Sequence, residues 1–416
     1  MTTLSIRNSI SLSPLPLGSF LIALTLACFA LSPTVRALTE GDLGNNNTAE
    51  GSGALGSLTT GTNNTALGAG ALNSTTTTSW NTATGAQALL HNIGRNNTAD
   101  GFQALLSNTT GANNTGIGWR ALFQNTTASD NTATGFQALN SNTTGTENTA
   151  NGISALQSNT IGINNTASGS SALFSNTTGI NNTAAGFQAL FSNTTGVRNT
   201  ANGVNALLLN TTASDNTAAG FQALFSNTTG GSNTANGSFV LSSNTTGGDN
   251  TATGVNALSF NTTGIFNTAT GFAALESNTT GGDNTATGFG ALSSNTAGKE
   301  NTANGLNALE HNTIGTDNTA EGFQALVNNT GNNNIAIGSN VGSNLTTGSN
   351  NIDIGAPGVG GESSKIRIGT VGTHNAAFIA GISGATVASG VGVIVNSNGK
   401  LGTVVSSRRS RMRSNP

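Results

Sequence analysis

A phrase of 17 residues, N-T-A-x-G-(F/V)-x-A-L-x-x-N-T-T-G-x-x, recurs along most of this chain, and its spacing limits the fold more than any other feature. Its first Asn falls at Asn47, Asn64 and Asn81 and so on to Asn318, Asn334 and Asn351, which makes 19 copies. Sixteen intervals are 17 residues; two, Asn81 to Asn97 and Asn318 to Asn334, are 16. A period held this tightly is one coil of a solenoid, because an insertion inside a coil would break the stacking of its neighbours. The length of 416 residues, which otherwise suggests two or three globular domains, is therefore absorbed by stacking. The predicted fold is all-β: a parallel β-solenoid or β-roll of about 19 coils over 47–355, then a small irregular β region over 356–407 and a basic tail at 408–416.

Numbered from the first Asn as zero, the coil positions have separate jobs. Position 4 is Gly in all 19 copies, which only a backbone demand explains: a positive φ, or an approach too close for a Cβ. Position 8 is Leu in the first 17 copies and is the expected core residue. Position 2 is Ala except at Gly116 and Asp353, and position 7 is Ala in most copies. Positions 0 to 4 alternate small-inward and polar-outward, as a short strand does. The next segment, such as Phe136-Gln137-Ala138-Leu139, reads two ways. Phe and Leu at i and i+3 fit a helical turn, Phe and Ala at i and i+2 fit a second strand, and the second strand is the favoured reading. N-T-T-G at positions 11 to 14 is expected to close the coil, Asn and Gly tolerating the left-handed conformation of a tight turn. Asn at position 11 in 15 copies, Asn92 to Asn329, permits an amide ladder along the axis. The segment Asn125–Asp130 recurs as Asn210–Asp215, five coils later, so the array has the look of block duplication.

Position 5 is apolar but variable, as in Phe102, Trp119, Ile153 and Val204, which suggests partial burial or burial against another chain. The core of each coil is thin, so backbone ladders and packing against other chains are expected to complete it. Ile335 and Ile337, then Ile352 and Ile354, replace polar residues at positions 1 and 3, making both faces of those strands apolar and calling for a cover. Lys365–Gly369, Ala376–Ile382, Val391–Val395 and Leu401–Val405 read as strands, with Asn398-Gly399 as a hairpin turn.

The first 37 residues read as a signal peptide: Arg7 gives a positive start, Phe20–Leu31 an apolar stretch, and Val35-Arg36-Ala37 a cleavage site, leaving 38–46 as a lead-in. The apolar run is short of the ~20 residues that span a bilayer, so no membrane span is expected after cleavage. Cys28 is the single cysteine, and Thr25 stands where a lipoprotein signal wants Leu, so the mature chain is expected to carry no cysteine and no disulfide.

The phrase N-T-A-T-G-F-Q-A-L-N-S-N-T-T-G resembles the repeats of bacterial and phage tail-fibre-type proteins. It is more distantly similar to the heads of trimeric autotransporter adhesins, and that resemblance implies a left-handed parallel β-roll in a homotrimer. The residues Ile366-Arg367-Ile368-Gly369, Phe378–Gly384 and Asn396–Gly402 resemble the segment before an intramolecular chaperone of the S74 peptidase type. The likeness covers 47 to about 409 and is specific for architecture, weak for any ligand. Ser406 matches the serine that marks self-cleavage in that family; it is expected to be inert, the chain being read as a truncated copy without the rest of the chaperone.

Charged residues make up 7% of the chain against a usual ~25%, Tyr is absent, and the net charge is -3 with no basic stripe, which argues against a nucleic-acid partner. Low charge also suits disorder, but a disordered chain needs no register. No catalytic residue, cofactor site or metal site is assigned. His91, His311 and His374 lie far apart, and acids such as Glu50, Asp100, Glu147 and Glu321 fall singly at variable sites. Gly247-Gly248-Asp249 and Gly281-Gly282-Asp283 lack the nine-residue period of calcium-binding repeats. The many N-x-T triplets follow the repeat. The leading expectation is an exported, non-enzymatic fibre or adhesin-like protein, secreted or on the cell surface, homotrimeric, with a cell surface or glycan as its contact. The second is a solenoid that binds ice or a polysaccharide lattice through its Thr rows, Thr standing at position 1 in the first 17 copies; the third is a phage tail-fibre component.

Overall fold

The computed structural model describes residues 45–379 and 392–403. The segment read as a signal peptide, with Cys28, the residue Ser406 and the Arg-rich tail lie outside them. One strand of three residues forms per coil, from β1 (Thr48–Glu50) to β20 (Ile366–Ile368), and these pair in chain order as a single parallel sheet. Like lies on like: Thr132, Ala133 and Thr134 of β6 (Thr132–Thr134) pair with Thr149, Ala150 and Asn151 of β7 (Thr149–Asn151). The expected parallel β-solenoid is the fold found, with no helix among the described residues.

Period-2 alternation governs the strand. Positions 1 and 3 face out, and the Ala at position 2 is fully buried. The interior is completed by the Ala at position 7, the Leu at position 8 and, less expectedly, the Asn at positions 0 and 11, all without exposed surface in the central coils. Roughly half of what fills this tube is therefore amide, which demands full hydrogen bonding.

Two ladders supply it. At position 11, Asn142 Nδ2 donates to Asn125 Oδ1 of the preceding coil (2.9 Å) and to Gly145 O of its own turn (2.9 Å), a pattern that runs from Asn92 to Asn312. At position 0, Asn148 N and Nδ2 both donate to Asn131 Oδ1 (3.0 and 3.2 Å), while Asn148 Nδ2 also reaches Gly162 O at 2.8 Å. The position-14 carbonyl thus accepts from both ladders. The hydroxyl of Thr at position 12 joins in, Thr143 Oγ1 donating to Thr160 O at 3.0 Å.

The second strand expected over positions 5 to 9 is not formed. Left-handed residues recur at positions 6 and 8, as at Gln137 (φ 54) and Leu139 (φ 50), and roll the chain through successive turns. Gln137 N donates back to Trp119 O of the previous coil, while Leu139 N and Ser141 N donate forward to Ala155 O and Gln157 O. A left-handed Leu costs ~1–2 kcal/mol; complete burial of its side chain returns ~1.5–3 kcal/mol. The turn assignment for N-T-T-G also needs correcting. Neither its Asn nor its Gly has a positive φ; the left-handed residues sit at positions 4, 6, 8 and 16. Gly at position 14 relieves crowding, since a Cβ on Gly145 would lie 2.3 Å from Gly162 O and 2.7 Å from Asn142 Oδ1, yet Ala128 and Ala213 show that the turn can shift to hold a Cβ there.

Both 16-residue coils lose one residue inside this turn, reading Asn92-Ile93-Gly94 and Asn329-Thr330-Gly331, and strand register passes through unchanged. β18 (Ile335–Ile337) and β19 (Ile352–Ile354) continue the sheet, and β20 joins it after the 17-residue period has ended. The Ile pairs share the outward face. Inward stand Ala336 and Asp353, so β19 is not apolar on both sides as expected. β21 (Val393–Val395) and β22 (Leu401–Thr403) form the antiparallel hairpin expected around Asn398-Gly399, with Gly399 at φ 77. Residues 376–379 form no strand, and 380–382, 391 and 404–405 lie outside the described residues.

Candidate interaction surfaces

Position 5 follows directly after the strand and the position-4 Gly, at the corner where the chain leaves the sheet. From Phe102 to Phe323 it is a large apolar residue in every coil but two, where Ser170 and Ser238 stand. These side chains are 36–58% exposed, so the row is a surface ribbon, broken at two coils, and not part of the core. Ring stacking follows from coil stacking: Trp119 and Phe136 are parallel at 4.8 Å, Phe272 and Phe289 at 5.0 Å. Where Ser238 interrupts, Phe239 of position 6 turns edge-on to Phe221 at 5.2 Å. A second row runs at position 9, in which Phe174 and Phe191 stack at 5.0 Å. Arg120 ties the two rows together, its guanidinium 4.6 Å from the Trp119 ring and 4.7 Å from that of Phe123, with Nε donating to Gln103 Oε1.

The sheet's outward face is different. Position-1 Thr hydroxyls form a column over 17 strands and make no hydrogen bond within the described chain. Position 3 is mixed, but Thr251/Thr253, Thr268/Thr270 and Thr285/Thr287 make three adjacent strands with Thr in both columns. The face then turns apolar at the six Ile of β18 to β20, Ile366 and Ile368 being the most open.

Titratable groups are sparse and, the buried Asp353 apart, lie wholly or partly at the surface. His91, His311 and His374 are all at the surface and far from one another, His374 Nδ1 accepting from Thr370 N at 2.9 Å. Among the described residues no group of three or more His, Cys, Asp or Glu is placed to hold a metal ion. The acids read as isolated are not all so: Asp283, Glu300 and Asp317 share position 16 in successive coils. The hydrogen bond and then the charge of Asp317 raise the Glu300 pKa above its ordinary value. Their common phase at 17-residue spacing was the available signal. Arg198 and Asp215, also at position 16, form an exposed ion pair at 2.6 Å. No described helix is long and apolar enough to cross a membrane. No protein-family model, curated protein or solved structure matches the chain.

Proposed function

We propose that this is an exported, non-enzymatic structural rod of fibre or adhesin type, which works as a bundle of parallel copies, a homotrimer, and holds or contacts a surface through its length. The observation that carries this reading is the position-5 ribbon. Twelve large side chains about half exposed present roughly 1,000 Å² of apolar surface, more than the ~800 Å² each partner gives to a standard interface. A ribbon with one apolar residue per coil is matched along its whole length by a partner of the same rise, and a parallel second copy has that rise. Contiguous apolar surface of this extent marks an interaction site. Export rests on the N-terminal segment as read from sequence, and the tail-fibre resemblance is compatible with the same bundle.

Light scattering on the mature chain tests it. We expect a trimer or larger species. Phe136→Ser, Phe187→Ser, Phe221→Ser and Phe272→Ser together should shift it toward monomer with the β signal retained, since Ser170 and Ser238 already occupy this position. A stable monomer of the unaltered chain would refute the interface. The Thr face supports a second reading, binding to an ordered hydroxyl lattice such as ice or a polysaccharide, because its column is in register and its hydroxyls are free. Thermal hysteresis that disappears on replacing Thr268, Thr270, Thr285 and Thr287 by Val would favour that reading.

A further inference from the structure

The solenoid interior is uncharged until its last turns, being apolar or amide apart from the hydroxyl of Thr75. At position 2, where other coils pack Ala or, once, Gly116, the coil of β19 carries Asp353. Its carboxylate is completely buried, and neither oxygen has a hydrogen-bond partner. Beneath it, in register, lies Ala336, with Leu345 alongside, and neither side chain can donate a hydrogen bond. Above it, β20 sets Arg367 in register with Asp353. That guanidinium is already committed: Arg367 Nε and one terminal nitrogen grip the two oxygens of Glu362 at 2.7 and 2.5 Å. Gly358, at φ 71, passes so close that a Cβ there would stand 2.9 Å from Asp353 Oδ2. Asp353 is therefore sealed in by the closing turn, residues 356–369. It is faced by one anion, Glu362, and one cation, Arg367, while Lys365 acts on Glu362.

We propose that Asp353 is a proton-operated latch: protonated, it holds the closing turn on the end of the stack, and ionised, it loosens that turn and uncovers the edge of β19.

Burial first, and then the Glu362 charge, push the Asp353 pKa up to about 6 from an ordinary 3.8, against the pull of Arg367. A carboxyl whose pKa is higher in the closed state binds its proton there more tightly than in the open state. Closure is thus fully favoured below pH 3.8, weakens as pH rises to about 6, and stays at its weaker level above that. The shift corresponds to roughly a 100-fold change in the opening equilibrium, tenfold for each unit. Glu362 acts in the opposite sense: hydrogen bonds with Arg367 lower its pKa from an ordinary 4.5, so losing that pair on opening would favour closure only as pH rises toward 4.5, below most of the Asp353 window. Opening would break the bonds from Ile352 N to Lys365 O and from Gly369 N to Ile354 O, both 2.8 Å. The freed edge, flanked by Ile352 and Ile354, is a template for pairing with another chain.

Hydrogen exchange on the full chain between pH 4 and 7.5, corrected for intrinsic rates, tests the latch. The amides of Ile352, Ser364, Lys365 and Gly369 should lose protection by roughly 100-fold across the range, while Thr200, bonded to Asn216 O in a central coil, should not change. Asp353→Ala, which restores the residue of the repeat, and Asp353→Asn, which keeps the shape without the charge, should both remain protected at every pH. Unchanged protection of these amides in the unaltered chain would overturn the proposal. So would either variant keeping the same pH dependence, or the Asn variant being unprotected throughout.

Discussion

Gly186 shows what one position of the coil demands. Its φ is +133, and a Cβ on it would lie 2.5 Å from Gly203 O and 2.7 Å from Gly203 C of the next coil. Conformation and space both exclude a side chain, so Gly186→Val should cost about 3 kcal/mol or more, because backbone of the adjoining coil has to move. A melting curve by circular dichroism should fall clearly, and an unchanged one would refute the close packing. Two residues on, Gln188 has φ 55 and is half-buried. Gln188→Gly should be neutral or stabilising by up to ~1 kcal/mol, since the left-handed penalty disappears, and Gly53, Gly70 and Gly290 already hold this place. A marked drop in melting temperature would show that Gln188 is not strained. The Gly at position 4 was legible because nothing but backbone geometry makes 19 copies identical. The left-handed Leu was not, since an apolar letter reports that a side chain is buried and says nothing about φ.

For the coil as an element, the two short copies are natural deletion experiments. Each loses a residue from N-T-T-G, and Thr82 still pairs with Thr98 and Thr319 with Ile335. The price is local: beside the second short coil, Asn312 Oδ1 is left without a partner. Deleting Thr144 should therefore preserve the fold at a loss of ~1–3 kcal/mol, the cost of one orphaned buried acceptor. Deleting Ala133 should be far worse, since a one-residue slip turns the strand's Thr inward and its Ala outward. Chemical denaturation of the two deletions gives the comparison; equal stability would contradict strand-set register. Strand and position-11 ladder were legible because alternation and stacking act on side chains at fixed phase. The position-0 ladder was not, because its Asn opens the strand and reads simply as its polar flank. The rolling turns at positions 5 to 9 were hidden because Phe-x-Ala-Leu satisfies both helical and strand spacing, while the backbone follows neither.

Over the whole molecule, the repeat count gave the architecture directly, since 19 tight periods leave little besides a stack. The proposed self-association had only one sign in the sequence, a row of apolar letters at position 5; the structure adds that this row lies on the surface. The latch at Asp353 showed in the sequence as one of two departures from Ala at position 2, but its consequence depends on Gly358, Glu362 and Arg367 closing over it. The central claim is that every copy is a rod of stacked coils and that copies join side by side in register. Small-angle X-ray scattering across a concentration series tests this most directly. The account predicts a rod roughly 90 Å long, from coils spaced ~4.8 Å apart, whose cross-section grows with association while its length stays fixed. A compact, near-spherical profile, or a length that increases with concentration, would contradict it.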